Sequence, residues 1–346
     1  MIRFGPAGIP LSCKGRTLKD GIEDVHNLGL NAMEIQMVRV NIVERPPEDE
    51  EVGLTPMEVE NDLVVGILRK KGKKEIQIID PYEKIKADDT LVTLTSGLAQ
   101  NFQELTILGR MGEELDVQLS MHTPYYMDLV SNTEMTEKSI SSIKWAATMT
   151  NIMDGSIVVT HTGLYGEIGK KKAKENIAVN LSQVMDWWKN HELRPILGLE
   201  TSGRQEVFGS LDEILDLCDE IDGIVPVVNF AHLHARENGI LREPQDFAEV
   251  FDRTNRYVDG CHYVHFAGVE HEGGNEKRIT PIKKGDLRFE PLAEFLVENM
   301  PNVTIISSSP LLEHDAMYMK VIFERALMKK VTKGSKVKKN DREEKD

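Results

Sequence analysis

Cysteine is scarce in this 346-residue chain, and the three present, Cys13, Cys218 and Cys261, stand singly and far apart. That spacing gives no CxxC pair for a zinc knuckle and no disulfide framework, and it reads as buried, reduced thiols. Long apolar runs are missing as well. No stretch reaches the roughly 18 residues of a membrane span, and Met1 to Pro10 lacks the charged start and apolar core of a secretion signal. The expected location is therefore the cytoplasm, without a membrane partner. Positive charge is in deficit: 42 Lys and Arg stand against 57 Asp and Glu, a net charge of −15. This weighs against a general nucleic-acid coat protein, whose affinity comes from neutralising many phosphates, but it leaves room for an enzyme with a local basic rim. The run Lys170, Lys171, Lys172 and Lys174 reads first as a solvated helix start and second as such a rim.

What is present is a regular alternation. After a strand candidate at Ile2–Phe4, short β-like runs recur at Ala32–Met37, Val117–Met121, Ile157–His161, Ile196–Glu200, Val225–Asn229, Tyr263–Phe266 and Val303–Ser307. Helical patterns follow them, at Leu18–Asn27, Ala99–Leu108, Ser139–Met149, Ala173–Lys189, Leu211–Glu220, Gln245–Asn255, Pro291–Val297 and Asp315–Met328. Eight βα units imply a parallel sheet closed on itself. The expected fold is an α/β (β/α)8 TIM barrel made of residues 1–45 and 96–330, expected to be a monomer.

One segment breaks the rhythm. Residues 46–95 separate the second strand from its helix, and hold Leu63–Leu68 and Glu75–Ile79 on either side of the basic turn Arg69-Lys70-Lys71-Gly72-Lys73-Lys74, then Thr90–Leu94. This predicts an inserted β-meander with a solvated hairpin tip. Its stretch from Val64 to Leu94 resembles the end of a TrkA-C type regulatory domain. Residues 331–346 mix Lys, Asp and Glu without apolar periodicity, and are expected to form a disordered tail.

In a barrel of this kind, chemistry gathers where strands end and βα loops begin. The third strand runs into Met121-His122-Thr123-Pro124-Tyr125-Tyr126, the fourth into Thr160-His161-Thr162-Gly163 and the fifth into Leu199-Glu200-Thr201. The sixth runs into Asn229-Phe230-Ala231-His232 and the seventh into Val264-His265-Phe266. One histidine at such a point is usually a polar residue satisfied by its neighbours. Several in register converge on one point, and imidazole with carboxylate is the usual ligand set of Zn²⁺, Mn²⁺ and Fe²⁺. The pattern predicts an ion on His122, His161 and Glu200, zinc before manganese or iron, with His265 beside it. Glu200, on the middle strand, is the residue placed to bridge two ions and to serve in catalysis. His232 competes with His234 and His271, which read equally well as exposed loop residues.

At these residues the chain resembles endonuclease IV, of the xylose-isomerase-like barrel superfamily. His122 with the following Pro-Tyr-Tyr-Met-Asp-Leu resembles the family's third-strand segment, His161-Thr-Gly its His-Pro-Gly ligand, and Leu199-Glu200-Thr-Ser-Gly its bridging glutamate. Asn229-Phe-Ala-His232 falls on a motif that supplies two ligands, and His265 on the seventh-strand histidine. The resemblance implies that Arg39, Tyr125 and Tyr126 enter a DNA duplex at a lesion. It also implies three metals, which this chain lacks the carboxylates to hold. Asn229 stands for an aspartate, Ser308 for the last-strand glutamate, and Lys277-Arg278-Ile279 for a further ligand pair. What remains is one ion on His122, His161 and Glu200, and a weaker second on Glu200, His265 and Asn229.

Three functions follow. The first is a metal-dependent phosphodiesterase acting on abasic or otherwise damaged duplex DNA. The second is a sugar or sugar-phosphate isomerase or epimerase, whose Glu, Asp, His, Glu metal set would here read Glu200, Asn229, His265 and Ser308. The third is a relative without that catalysis, binding DNA or a ligand through its inserted module.

Overall fold

The computed structural model describes residues 1–38, 41–95 and 97–343, with side chains to Thr332. The chain opens with β1 (Ile2–Pro6), α1 (Leu18–Asn27) and β2 (Ala32–Gln36), then enters the insertion through β3 (Asn41–Arg45), β4 (Val64–Lys71), β5 (Lys74–Ile78) and β6 (Thr90–Thr95). It returns through α2 (Phe102–Glu114), β7 (Gln118–His122), α3 (Glu134–Ile152), β8 (Ile157–Thr160), the short β9 (Gly163–Leu164) and α4 (Gly169–Asn190). Next come β10 (Ile196–Glu200), β11 (Val207–Phe208), α5 (Leu211–Glu220), β12 (Ile224–Asn229), α6 (Phe230–Arg236) and α7 (Pro244–Thr254). The last elements are β13 (His262–Phe266), β14 (Gly268–Glu272), β15 (Asn275–Thr280), α8 (Phe289–Asn299), β16 (Val303–Ser307) and α9 (Glu313–Glu343).

Eight parallel strands form the barrel in the order β1-β16-β13-β12-β10-β8-β7-β2, and a parallel bridge between Ala7 and Glu34 brings the first strand back against the last. Gly5 makes that closure fit, because a Cβ there would lie 1.8 Å from the Ala32 carbonyl oxygen. Each of the eight expected strands is found within about a residue or two of its expected ends. Side chains alternate across each strand. Ile157 and Val159 join Ala32, Val225, Val227, Tyr263 and Ile306 in an inner cluster, while Val158 belongs to the larger core under the helices. The same alternation puts Glu34, His122, Glu200, Asn229 and His265 on the inner rows.

Helix starts follow local chemistry. Thr17 and Asp20 cap α1 reciprocally, as Ser210 and Glu213 cap α5, and Pro244 opens α7 where its missing N–H costs nothing. Helix α6 and the β14–β15 hairpin are among the elements that the sequence reading did not find. Helix α6 starts on the residue after β12, where the Asn229 side chain accepts from the backbone of Ala231 and His232. The β14–β15 hairpin is written in charged residues, with no apolar alternation to reveal it.

The insertion is a four-stranded antiparallel sheet, order β3-β6-β4-β5, with its own core of Val59, Val64, Ile67, Ile85 and Leu91. Because β3 pairs with β6, the module already includes 41–45, which the sequence pattern assigns to the barrel. Arg69 is anchored rather than free, held by Asp89 at 2.8 Å and also by Glu83, so only the lysines of the basic turn form the tip. Helix α9 continues to Glu343, through most of the charged segment expected as a tail; Lys and Glu are good helix formers and no proline interrupts them. Among the described residues no helix is long and apolar enough to cross a membrane.

Phe230 is fully buried and packs against Phe247, Phe251 and Phe266, beside the start of α6. Phe230→Ala is expected to cost about 3–5 kcal/mol through lost burial and the cavity left behind. Urea unfolding monitored by circular dichroism measures it, and a loss below about 1 kcal/mol would contradict this packing.

Candidate metal centre

Five inward side chains from four neighbouring strands and the loop after β8 meet at the C-terminal mouth of the barrel. His122 Nδ1 donates to the Thr123 carbonyl at 2.7 Å, which leaves Nε2 turned to Glu200 Oε2 at 2.8 Å. His161 Nε2 lies 3.3 Å from the same oxygen. The other oxygen, Glu200 Oε1, accepts from Asn229 Nδ2 and from His265 Nδ1, both at 2.8 Å. His265 Nε2 in turn donates to Glu34 Oε2 at 2.7 Å. Glu34 also accepts from the Tyr263 hydroxyl at 3.0 Å and from Gln36 at 2.7 Å.

The electrostatics follow from this geometry. Burial opposes a charged His265, but Glu34 and Glu200 on its two sides raise it to about 10, so the ring is an imidazolium between two carboxylates. Burial likewise opposes ionisation of Glu200 and Glu34. For Glu200 the surrounding imidazoles His161, His265 and His122 outweigh it and hold the carboxyl well below its usual range. For Glu34 the partner is His265. Burial drives His161 down to about 4 against the field of Glu200, so its ring is neutral and keeps a lone pair.

One ligand atom each from His122, His161 and Glu200 lies within 4.8 Å of the other two. Two imidazoles and a carboxylate, one ring held neutral and the other fixed by a backbone carbonyl, fit a divalent ion of the zinc type. The further expected ligands are engaged otherwise. The Asn229 oxygen caps α6 while its nitrogen serves Glu200, and both nitrogens of His265 face carboxylates. Ser308, beyond β16, has a buried hydroxyl without a partner among the described residues, so no carboxylate comes from that strand. Arg39 lies outside the described residues.

His232 points to the other side of the mouth. Its Nδ1 donates to the Thr201 carbonyl at 2.7 Å, and its Nε2 lies 3.2 Å from Glu276 Oε2. Glu276 arrives on β15, with its backbone N–H on the Gly203 carbonyl at 2.8 Å. Gly203 permits the approach, since a Cβ there would stand 2.6 Å from the Glu276 carboxylate. The neighbouring Lys277 turns outward to Glu272 at 3.1 Å and so does not repel a cation. Sequence reasoning missed both Glu34 and Glu276. The first had a signal, a lone acid in the apolar strand Ala32–Met37; the second had none, because its hairpin is invisible in the pattern.

A cavity of about 570 Å³ opens over this wall, lined by Tyr125, Tyr126, His161, Arg204, His232 and Glu276 among others. Tyr125 sits edge-on to His161 with ring centres 5.3 Å apart, and Tyr126 is 86% exposed.

A second group, His234, His271 and Asp286, also brings ligand atoms within 4.8 Å of one another. His234 is buried rather than the loop residue the sequence allowed. Its Nδ1 accepts the Leu241 N–H at 3.2 Å, so the hydrogen of the neutral ring sits on Nε2, facing Asp286 at 3.3 Å. That tautomer makes the group a clasp rather than a cation site.

A family model described as the xylose isomerase-like TIM barrel matches residues 103–310. An uncharacterized protein of Methanocaldococcus jannaschii is 27% identical over 252 residues, 71% of this chain and 90% of that protein. Among solved structures, endonuclease IV of Thermus thermophilus is similar with a TM-score of 0.59 at 16% identity, covering 94% of this chain and 99% of that one. A D-tagatose 3-epimerase-like protein follows at 0.58 and 16%, covering 91% and 96%. An L-ribulose 3-epimerase reaches 0.57 at 12%, covering 97% and 98%. At such identities these likenesses describe the fold alone.

His161→Ala is expected to strip the bound ion, measured as metal per chain by plasma mass spectrometry, with an unchanged far-ultraviolet spectrum. His234→Ala is expected to leave metal content as it was. Equal metal content in wild type and His161→Ala would remove the site assigned here.

Proposed function

The chain belongs to the xylose isomerase-like TIM-barrel family, and on that premise we propose that it is a hydrolase working with one divalent cation, zinc before manganese or iron, on a phosphodiester at an abasic or damaged nucleotide. The observation that carries this reading is the placement of Tyr125 and Tyr126, 59% and 86% exposed, on the rim of a cavity whose wall holds His161 of the His122, His161 and Glu200 centre. Aromatic rings left open to water beside a reactive centre make a stacking platform for bases, and about 570 Å³ suits one group of small-molecule size. Arg204, on the same wall, supplies the local positive charge that a chain of net −15 needs to meet a phosphate.

When bound, the ion supplies Lewis acidity at the mouth. Glu200 holds it and is itself held by His265 and Asn229, which suits a fixed ligand better than a proton carrier. Proton transfer falls to the facing wall. His232 Nε2 and Glu276 Oε2 stand 3.2 Å apart on the cavity wall, an imidazole and a carboxylate placed to pass a proton to or from a bound substrate. Tyr125 and Tyr126 hold the substrate against this wall.

A second reading, a sugar-phosphate isomerase or epimerase, is favoured by that same imidazole–carboxylate pair beside the cavity. Against it stands the ligand set, since Asn229 and Ser308 replace two carboxylates that such chemistry places around its ion. Incision of a duplex carrying one abasic analogue, assayed beside interconversion of ketose phosphates, separates the two. Glu276→Gln is expected to lower kcat for incision by roughly 10²- to 10⁴-fold with KM little changed. Metal-loaded protein that leaves the lesion intact but interconverts a sugar phosphate would replace the first reading with the second, and inactivity on both would leave a binding role.

A further inference from the structure

Helix α6 carries His232 in its first turn and Arg236 one turn later, and positions four apart share a helix face. His232 faces Glu276 at 3.2 Å. Arg236 neither ligates the ion nor lines the cavity, yet its side chain is only 3% exposed. Resting on the reading of His232 and Glu276 as the proton-transfer wall, we infer that Arg236 is a positioning residue: it stakes residues 202–207 to α6, and through that loop sets Glu276 opposite His232.

A guanidinium stays charged in a protein, and burying one is unfavourable unless its donors are used. The carboxylate that pairs with it, Glu213, stands off at 3.6 Å from Nη2, and most of the donors go to one loop. Nη1 donates to the carbonyls of Ser202 at 3.3 Å and Val207 at 3.1 Å, and to that of Arg204 between them. Nη2 donates to the Tyr165 hydroxyl at 3.3 Å, which itself donates to Glu213 at 2.6 Å. Residues 202–206 belong to no helix or strand, so the guanidinium does for them what a strand ladder does elsewhere. Gly203, flanked by two of the held carbonyls, accepts the Glu276 N–H at 2.8 Å. A second tie runs through Gln205, whose Nε2 donates to the Arg236 carbonyl at 3.1 Å and to the Gly274 carbonyl in the hairpin turn at 3.0 Å. Gly274, at φ +74°, lets the turn come this close, since a Cβ there would lie 3.1 Å from the Arg236 carbonyl oxygen. One face of α6 therefore presents His232 directly and Glu276 through the loop that Arg236 holds.

Lysine keeps the charge and much of the stem but offers one nitrogen, which cannot serve the three carbonyls and the Tyr165 hydroxyl together. The test is a double-mutant cycle of Arg236→Lys with Glu276→Gln, assayed on the duplex carrying one abasic analogue and on a ketose phosphate. Arg236→Lys alone is expected to lower kcat by roughly 10- to 100-fold, with metal content and far-ultraviolet circular dichroism unchanged. In the Glu276→Gln background the same change is expected to lower kcat less than about twofold, because the group it positions is already gone. Equal losses in both backgrounds would mark a general structural role and overturn the inference. Gln205→Ala, which cuts the tie to Gly274 without touching the buried charge, carries the same two expectations should Arg236→Lys fail to fold. Hydrogen exchange reads the placement without any substrate: the peptide spanning 274–280 is expected to exchange about tenfold faster in either variant, with β10 and β12 unchanged. Unchanged exchange overturns the inference whatever substrate the protein turns over. Faster exchange in a protein inactive on both substrates removes the proposed chemistry instead, and leaves Arg236 as the residue that places Glu276.

Discussion

Two carboxylates, Glu34 and Glu200, lie inside the barrel at 1% and 3% exposure, and most of what surrounds them answers the cost of putting them there. Burying an ion pair demands several kcal/mol per charge even after the surroundings relax, so such groups persist only when fully hydrogen-bonded. Here His265 lies between the two, and Asn229, His122, Tyr263 and Gln36 take up the remaining oxygens. Five strands contribute, β2, β7, β10, β12 and β13, so the hydrogen-bond chain also ties the relative heights of strands around the barrel. Removing any one member would leave a buried charge short of a partner, which is why the network behaves as a unit.

The rest of the mouth is built around that fixed centre. Asn229 orients Glu200 with its nitrogen and starts α6 with its oxygen, so one side chain sets both a ligand and the helix that presents His232. The opposite end of α6 carries His234 into the clasp with Asp286 and His271, which holds the hairpin region over the barrel. That hairpin delivers Glu276 past Gly203. A rigid wall of His122, His161 and Glu200 therefore faces a second wall supplied by loops, the division of labour expected when ligands come from strands and substrate contacts from βα connections. The inserted sheet has its own core and its own arginine clasps, Arg45 with Glu51 and Asp62, and Arg69 with Asp89 and Glu83. It meets the barrel through Leu63, Val65, Ile79, Val92 and Leu94, which join the large core under the helices, and through Gln103 and Asn101 at the α2 start, which donate to the backbone of Met57 and Glu60.

The likeness in fold reaches equally to a nuclease and to sugar epimerases, and the shared barrel does not choose between them. Side chains do. The proposal of a phosphate-bearing, base-bearing substrate draws on the exposed tyrosines and Arg204, whereas Asn229 and Ser308 stand where both the nuclease and the sugar-isomerising ligand sets would have carboxylates. With Asn229 there, the second oxygen of Glu200 meets histidine and asparagine N–H donors.

The sequence by itself determined the barrel, because the alternation of eight apolar runs with helical patterns is a local signal that survives in any reading of the chain. It also pointed to the candidate triad that the fold brings together, since His122, His161 and Glu200 each close a strand or begin the loop after it, and strand ends converge in a closed barrel. It did not reveal what His265 does. That residue read as a ligand because its position matched one, and only the folded barrel brings Glu34, 231 residues away in the chain, against its second nitrogen. Glu276 was hidden for a related reason: its hairpin has one apolar side chain per strand, Val269 and Ile279, too few to mark a periodicity, and its partner His232 comes from another loop. Periodicity records which face of an element is buried. Which polar atom meets which inside that face is decided only when the strands are set side by side.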